Sequence, residues 1–248
     1  MVLATTVIFL IGLLDDFIGL SSVFRLLSQL FAVFILIREE DAEKAGEALE
    51  RNGYLFLGSG SGAHMNFAAD GEKPRFIEVY WDLVNRRSPV QCSLFRPRIA
   101  AVWGRSVSVS GRMHMSLEDM VCYLTVHAVK EYFHRPKWLV DIAYVLNIMD
   151  ERTDADILRG VITEWNESSA LGIAVEALVR ATDDTRYEAA CEYGARHPGL
   201  LGRFMADRLL RYDDLRGMRP LLWIACARSP KEVFAVTAGM LRYLMAGR

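Results

Sequence analysis

The first 37 residues most constrain what this chain can fold into, because they contain almost no charged side chains. They contain two apolar runs, residues 2–14 and 23–37, and only three charged side chains, Asp15, Asp16 and Arg25. Each run is shorter than the roughly 20 apolar residues that a membrane-spanning helix needs. The start of the chain also lacks the basic residue of a secretory signal. Two interpretations stay open for this segment: a pair of buried core helices, or a membrane-type helical segment.

The rest of the chain has the composition of a globular protein. Charged residues make up 24% of the sequence, and the net charge of −2 supplies no global basic field, so we do not expect nucleic acid as a partner. The four cysteines lie far apart without a C-x-x-C pair. Their spacing fits neither a zinc site nor a compact disulfide framework, and it favours buried, reduced thiols in a cytoplasmic protein.

Residues 8–21, which read IFLIGLLDDFIGLS, resemble one part of the polyprenyl-phosphate N-acetylhexosamine-1-phosphate transferases. In that family an apolar helix runs into an Asp-Asp pair that helps bind Mg²⁺ and the diphosphate at the cytoplasmic face of the membrane. Asp15 and Asp16 match this pair, so the resemblance implies them as metal ligands and predicts membrane affinity through residues 1–37. The other acidic and basic motifs of the family are missing, and the resemblance therefore does not imply its activity.

The next segment predicts a helix followed by short strands. Apolar residues recur at helical spacing over residues 39–52, with acidic residues in the first turn and Asn52-Gly53 as the stop. A strand at residues 54–57 precedes the glycine-rich stretch 58–62. Because this stretch lacks the Lys-Ser/Thr of a phosphate-binding loop, we predict a flexible turn there. Strands at residues 63–69 and 75–83 then flank a polar hairpin loop.

Glu78 is the most informative carboxylate in this part of the chain. Alternation places Phe76, Glu78, Tyr80 and Asp82 on one face of the strand and the apolar residues between them on the other. An acidic side chain in mid-strand is costly to bury unless it serves a ligand or a partner. We therefore predict a functional role for Glu78.

Several motifs follow one another in the order and spacing of a known family. They are Ile35-Leu36-Ile37, the acidic helix, Gly53-Tyr54, Glu78-Val79-Tyr80-Trp81, and residues 116–119, 124–130 and 137–143. Together they resemble the uncharacterised bacterial nucleotidyltransferase family often found beside polysaccharide-biosynthesis genes. The resemblance covers residues 36–248 and weakens after residue 180. Members of the family usually have histidine at the position of Tyr80.

The resemblance implies a magnesium-dependent transfer of a nucleotidyl group. In this fold an Asp-x-Asp motif and a third carboxylate on a neighbouring strand hold Mg²⁺ against the nucleotide phosphates. Glu78 matches the third carboxylate, so the resemblance implies it as a catalytic and metal-binding residue. The Asp-x-Asp is expected at Ala32-Val33-Phe34, where the chain has no carboxylate. We therefore expect catalysis to be impaired, and Mg²⁺ to be a cofactor only if activity survives.

The C-terminal half predicts a series of helices. Ser116 is an N-cap before a helix that runs to about residue 133, and a second helix covers residues 137–149. Further helices are predicted at residues 154–166, 169–181, 185–196, 199–212 and 230–245. His127 and Asp141 are expected to face each other across the first pair. These two residues and Lys130 are candidate substrate-binding residues, and a His–Asp pair that fixes helix packing is the alternative.

These patterns predict an α+β protein with three parts. Residues 1–37 are the hydrophobic helical segment, residues 38–112 an incomplete nucleotidyltransferase-like sheet, and residues 113–248 a helical domain. The predicted function is that of an impaired nucleotidyltransferase-like protein, linked to surface-polysaccharide synthesis, whose partner is a nucleotide or a small acceptor. The alternatives are a membrane-associated, non-catalytic binding protein and a fragment of a phosphosugar transferase. The predicted location is the cytoplasm or the cytoplasmic face of the inner membrane.

Overall fold

The computed structural model describes most of the chain from residue 33 onward. The described residues are 33–60, 64–69, 75–85, 88–109, 112–133, 137–149, 155–184, 187, 195–211 and 218–245. Residues 1–32 of the hydrophobic helical segment predicted at 1–37, with Asp15 and Asp16, lie outside this set, as does most of the helix predicted at 185–196. Within the described ranges, no helix is both long enough and apolar enough to cross a membrane.

A four-stranded mixed sheet forms the first part of the fold. Its strands are β1 (Val33–Leu36), β2 (Tyr54–Gly60), β3 (His64–Ala69) and β4 (Arg75–Tyr80), in the spatial order β1-β4-β3-β2. β1 pairs with β4 in parallel, whereas the other two pairs are antiparallel. The parallel pairing is possible because the chain between β1 and β4 is long enough to cross over. Together with the helices described below, this sheet confirms the mixed α+β class.

Residues 33–36 correct part of the sequence interpretation. They were included in the hydrophobic helical segment, but they form strand β1, as the motif Ile35-Leu36-Ile37 indicated. The backbone N–H of Ile37 donates to the carbonyl of Tyr80 at 2.8 Å, which continues the pairing with β4. β-branched residues favour a pleated, half-buried position, and the pairing with β4 provides it here.

One face of the sheet packs against helix α1 (Ala42–Arg51), which a 3₁₀ turn at Glu39–Asp41 precedes. Phe67, Ile77 and Val79 form the buried centre of this core, and Ala45 and Leu49 of the helix pack onto it. α1 ends at Arg51 with Asn52 as its C-cap, and Gly53 then takes a φ of 83°, a left-handed conformation that glycine adopts without strain. The helix, its stop and the alternation of Ile77, Glu78 and Val79 follow the sequence prediction.

Two details of the strands differ from the prediction. β2 continues to Gly60, because Gly58 with its φ of 133° accommodates an irregularity in the pairing with β3 instead of ending the strand. β4 ends at Tyr80, three residues earlier than predicted. Residues 61–63 and 70–74, in which the rest of the predicted turn and the hairpin loop fall, lie outside the described residues.

The second part of the fold is mainly helical. Two short helices, α2 (Pro89–Leu94) and α3 (Ile99–Arg105), come first, and the hairpin of β5 (Val107–Val109) and β6 (Arg112–His114) follows. The longer helices are α4 (Leu117–Lys130), α5 (Lys137–Met149), α6 (Ala155–Trp165), α7 (Ser168–Thr182), α8 (Leu200–Leu210), α9 (Arg219–Cys226) and α10 (Pro230–Met245). Ser116 accepts a hydrogen bond from the backbone N–H of Asp119 at 3.1 Å, which confirms it as the N-cap of α4. Fully buried residues such as Ile142, Ile162, Trp165 and Leu171 form the core between these helices.

The chain divides into two compact units between Arg87 and Ser88. The sheet and α1 lie in the first unit, and α2 to α10, with the β5–β6 hairpin, lie in the second. The domain boundary predicted between residues 112 and 113 stays a prediction.

The described cysteines form no disulfide with one another, and their burial predicts a sharp difference in reactivity. Cys122 and Cys226 are buried, whereas Cys92 is half-buried. Loss of hydration raises the pKa of the Cys122 and Cys226 thiols above the ordinary value, so little thiolate is present at neutral pH. We expect iodoacetamide to alkylate Cys92 at least about ten-fold faster than these two in the native protein, as measured by peptide mass spectrometry. Equal rates in urea are the control, and rapid native labelling of Cys122 would contradict the burial.

Candidate functional site

The face of the sheet opposite α1 carries the predicted carboxylate. Glu78 and Tyr80 lie two residues apart on β4, and the period of two in a strand places both on this face. The Tyr80 hydroxyl donates a hydrogen bond of 2.9 Å to Oε2 of Glu78. Tyr80 is buried and Glu78 is half-buried, so the carboxylate is partly accessible to solvent. Its hydrogen bond with the buried phenol restricts its orientation.

The neighbouring strand β3 adds two polar side chains to the same face. Asn66 lies directly across from Glu78, and His64 lies directly across from Tyr80. The His64 and Tyr80 rings stack, with their centroids 4.6 Å apart and their planes 18° from parallel. The stacked rings restrict the position of Tyr80 and, through its hydroxyl, that of Glu78. Sequence reasoning missed His64 and Asn66, because the cross-strand register that brings them to Glu78 is not visible in the sequence.

On its other side, Glu78 has Phe34 of β1 as its register partner. The motif comparison predicted the missing Asp-x-Asp at Ala32-Val33-Phe34, so its last position does lie beside Glu78. Ala32 lies outside the described residues. The strand next to the retained carboxylate therefore carries phenylalanine where a metal ligand is expected.

These residues do not fit a two-ion magnesium centre. Such a centre needs several carboxylates around the phosphates, and Mg²⁺ gives up its water ligands reluctantly. In the part of the chain that the structure describes, no group of three or more His, Cys, Asp or Glu side chains could hold a metal ion. We therefore derive no catalytic step through Mg²⁺ for this sheet. The proposed ligands Asp15 and Asp16 lie outside the described residues, and their role stays a prediction.

The three other predicted residues lie in the second compact unit. His127 and Lys130 are on α4, and Asp141 is on α5. Asp141 accepts a hydrogen bond of 2.8 Å from Nζ of Lys137, one turn earlier in the same helix. The His127 ring packs against Trp138, with centroids 4.5 Å apart. The His127–Trp138 contact joins α4 to α5, whereas the Lys137–Asp141 pair lies within α5. The predicted substrate contacts of the three residues stay predictions.

The second unit also contains a charged network that the sequence did not reveal. Asp119, which is fully buried, accepts hydrogen bonds from Nε of Arg105 at 2.8 Å and from its Nη2 at 2.7 Å. It also accepts from the Trp165 indole at 2.9 Å and the Ser116 hydroxyl at 3.0 Å. Nη1 of the same arginine donates to Glu164 at 3.1 Å. The hydrogen bond with Asp119 is the largest cause that raises the pKa of Arg105 above its ordinary value, so the guanidinium stays charged.

Glu167, at the junction of α6 and α7, is a second buried carboxyl group. It is fully buried beside the Cys122 thiol, the Thr125 hydroxyl and the Val126 backbone. Neither of its oxygens has a hydrogen-bonding partner of ordinary geometry in the described structure. The Thr125 hydroxyl instead donates to the carbonyl of Val121 at 2.9 Å. Loss of hydration raises the pKa of Glu167 well above its ordinary value, which favours the neutral acid.

Comparisons with known proteins agree with part of the sequence interpretation. The model of a family described as "uncharacterised nucleotidyltransferase" matches residues 35–180, which include Glu78, His127, Lys130 and Asp141. No curated protein and no solved structure matches the chain. The resemblance of residues 8–21 to the polyprenyl-phosphate transferases gains no support from these comparisons.

Proposed function

This chain belongs to the uncharacterised nucleotidyltransferase family, and from that premise we propose that it is a nucleotidyltransferase-like protein whose own catalysis is impaired. It binds a nucleotide or a small acceptor on the sheet face around Glu78. The proposal includes the predicted link to surface-polysaccharide synthesis and attachment to the cytoplasmic membrane face through the hydrophobic residues that precede β1.

One observation supports the loss of catalysis above the others. Phe34 is the register partner of Glu78 on the parallel strand β1. An active site of this fold needs carboxylates on both strands, because nucleotidyl transfer depends on metal ions that hold the phosphates and neutralise the developing charge. Phenylalanine supplies no oxygen ligand. The site therefore retains one carboxylate, Glu78, whose Oε2 is already bound by the hydroxyl of Tyr80.

The match also bears on the alternative of a phosphosugar-transferase fragment. It runs from the first strand of the sheet into α7 and so spans both compact units. An unrelated tail fused to a transferase fragment is not expected to match one family model over this length. The family match therefore favours the nucleotidyltransferase lineage over this alternative.

The test separates binding from transfer. The purified full-length chain is incubated with each α-labelled nucleoside triphosphate, Mg²⁺ and a mixture of sugar phosphates and amino sugars. We expect nucleotide binding by calorimetry, but no transfer above the level of Glu78→Gln. Glu118→Gln, on α4 of the other compact unit, is the matched control, because it makes the same chemical change in a residue that does not belong to the sheet.

Two outcomes would contradict the proposal. Transfer by the native chain that Glu78→Gln abolishes and Glu118→Gln does not would show an intact catalytic centre. Failure of the native chain to bind any of the nucleotides would remove the nucleotide-binding part of the proposal.

A further inference from the structure

Among the described residues of the four strands, this sheet face has one carboxylate, Glu78, beside polar and aromatic groups. Glu78 has Phe34 on one side and Asn66 on the other, with Tyr80 and His64 beside them. A nucleotide is most negative at its phosphates, and a lone carboxylate repels them unless a cation lies between the two. Since the described residues do not fit a metal centre, Glu78 is poorly suited to meet the phosphate end of a ligand.

The same carboxylate is well suited to a neutral hydrogen-bond donor. The Tyr80 hydroxyl binds Oε2 at 2.9 Å, and the stack with His64 at 4.6 Å restricts the phenol ring. An acceptor whose orientation is set in advance loses less conformational freedom when a ligand binds. Oε1 then remains as a charged acceptor for a hydroxyl or amino group, and the Asn66 amide across the pair offers both a donor and an acceptor.

We infer that Glu78, held by Tyr80, accepts a hydrogen bond from a hydroxyl or amino group of the nucleotide, and that this binding needs no divalent cation. The inference rests on the proposed nucleotide binding and adds which end of the ligand meets the sheet face. Tyr80 acts as a positioning residue in this arrangement, because it sets the direction of the carboxylate and makes no contact with the ligand itself.

The experiment is a calorimetric titration of the full-length chain with CTP and with UTP, once in excess MgCl₂ and once in excess EDTA. We expect the dissociation constants in the two buffers to agree within about two-fold. Neither the hydrogen bond between Glu78 and the nucleotide nor the one between Glu78 and Tyr80 involves the cation. In EDTA, Glu78→Gln should weaken binding about ten-fold, the usual effect of losing one charge-assisted hydrogen bond. Tyr80→Phe should weaken it by about three-fold or more, because a carboxylate without its hydrogen bond must be ordered by the ligand.

The two sources of the donor are separated by one further ligand, 2′,3′-dideoxy-CTP, and by the comparison of UTP with CTP. If a ribose hydroxyl donates, 2′,3′-dideoxy-CTP loses the ten-fold dependence on Glu78. If the base amino group donates, UTP lacks this dependence while CTP shows it. Circular dichroism checks that each variant is folded. If Glu78→Gln does not fold, the loss of affinity in Tyr80→Phe still tests the inference. Tyr144→Phe, an exposed tyrosine of α5, is the matched control for Tyr80→Phe.

The outcomes distinguish the inference from the proposed function. Binding in MgCl₂ that disappears in EDTA and in Glu78→Gln would show that Glu78 is a metal ligand, which overturns the inference and leaves the proposed function standing. Equal binding by the native chain and by both sheet variants in EDTA would also overturn the inference. The absence of binding in either buffer would overturn the proposed nucleotide binding and the inference together.

Discussion

Replacing Asp119 by alanine is expected to lower the free energy of unfolding of the helical unit by about 3–5 kcal/mol, the usual cost of removing one partner of a buried ion pair. Asp119 is fully buried and accepts both hydrogen bonds of the Arg105 fork, at 2.7 and 2.8 Å. Its loss leaves that arginine with Glu164 alone and removes the acceptor of the Trp165 indole. Urea denaturation of the full-length chain, followed by circular dichroism, measures the difference.

The control for this variant is an aspartate in an exposed ion pair. Asp156 pairs with Arg159 at 2.8 Å on α6, and 85% of the Asp156 side chain is accessible to solvent. Since solvent screens such pairs, Asp156→Ala should cost less than about 1 kcal/mol. A double variant, Arg105→Met with Asp119→Leu, should recover much of the stability, because it removes the buried carboxylate together with the half-buried guanidinium that pairs with it. Equal effects of Asp119→Ala and Asp156→Ala would show that the network contributes nothing beyond a surface pair.

The network also shows where sequence reasoning reached its limit. Ser116 caps helix α4, as the sequence predicts, but the sequence pattern did not identify the partners of Asp119. The dominant partner of Asp119 is Arg105, which ends the short helix α3. No element was predicted there, because seven residues carry too little periodicity to identify a helix. The pairing depends on how three helices pack, and local patterns do not encode it.

The sheet gives a similar lesson at shorter range. The alternation of Ile77, Glu78 and Val79 predicted correctly which face is polar, since that property follows from the strand geometry alone. Helix α5 and helix α10 also have the predicted bounds, because their apolar residues recur over several turns. The strand order β1-β4-β3-β2 and the register that pairs Glu78 with Phe34 and Asn66 are tertiary features, and they were beyond the reach of the sequence.

Helices α2 and α9 were missed for a local reason. Both begin with a proline at or next to their first residue, which is a favourable position for proline, because the first N–H groups of a helix have no partner within it. In a sequence the same proline also signals a turn. With only six and eight residues, neither helix has enough length to settle the ambiguity.

Replacing Glu167 by glutamine is expected to stabilise the protein increasingly as the pH rises from 5 to 8. Burial raises the pKa of Glu167 in the folded state above its ordinary value of 4.5, so the folded protein keeps a proton that the unfolded chain releases. Stability falls with pH wherever the folded state binds the extra proton, with a slope of up to about 1.4 kcal/mol per pH unit. Glutamine has nearly the same shape and cannot ionise, so the variant lacks this slope.

Urea denaturation of both proteins at several pH values measures the effect. The difference between the Glu167→Gln variant and the native chain should grow with pH between pH 5 and pH 8, by at most about 1.4 kcal/mol per pH unit. Glu118→Gln, whose side chain is half-buried at the start of α4, is the control for the same chemical change outside the core. A pH-independent difference for Glu167→Gln would mean that the carboxyl group is already ionised at pH 5. In that case a charged carboxylate would lie beside the Cys122 thiol in the core. The assignment of Glu167 as a neutral acid would then be wrong.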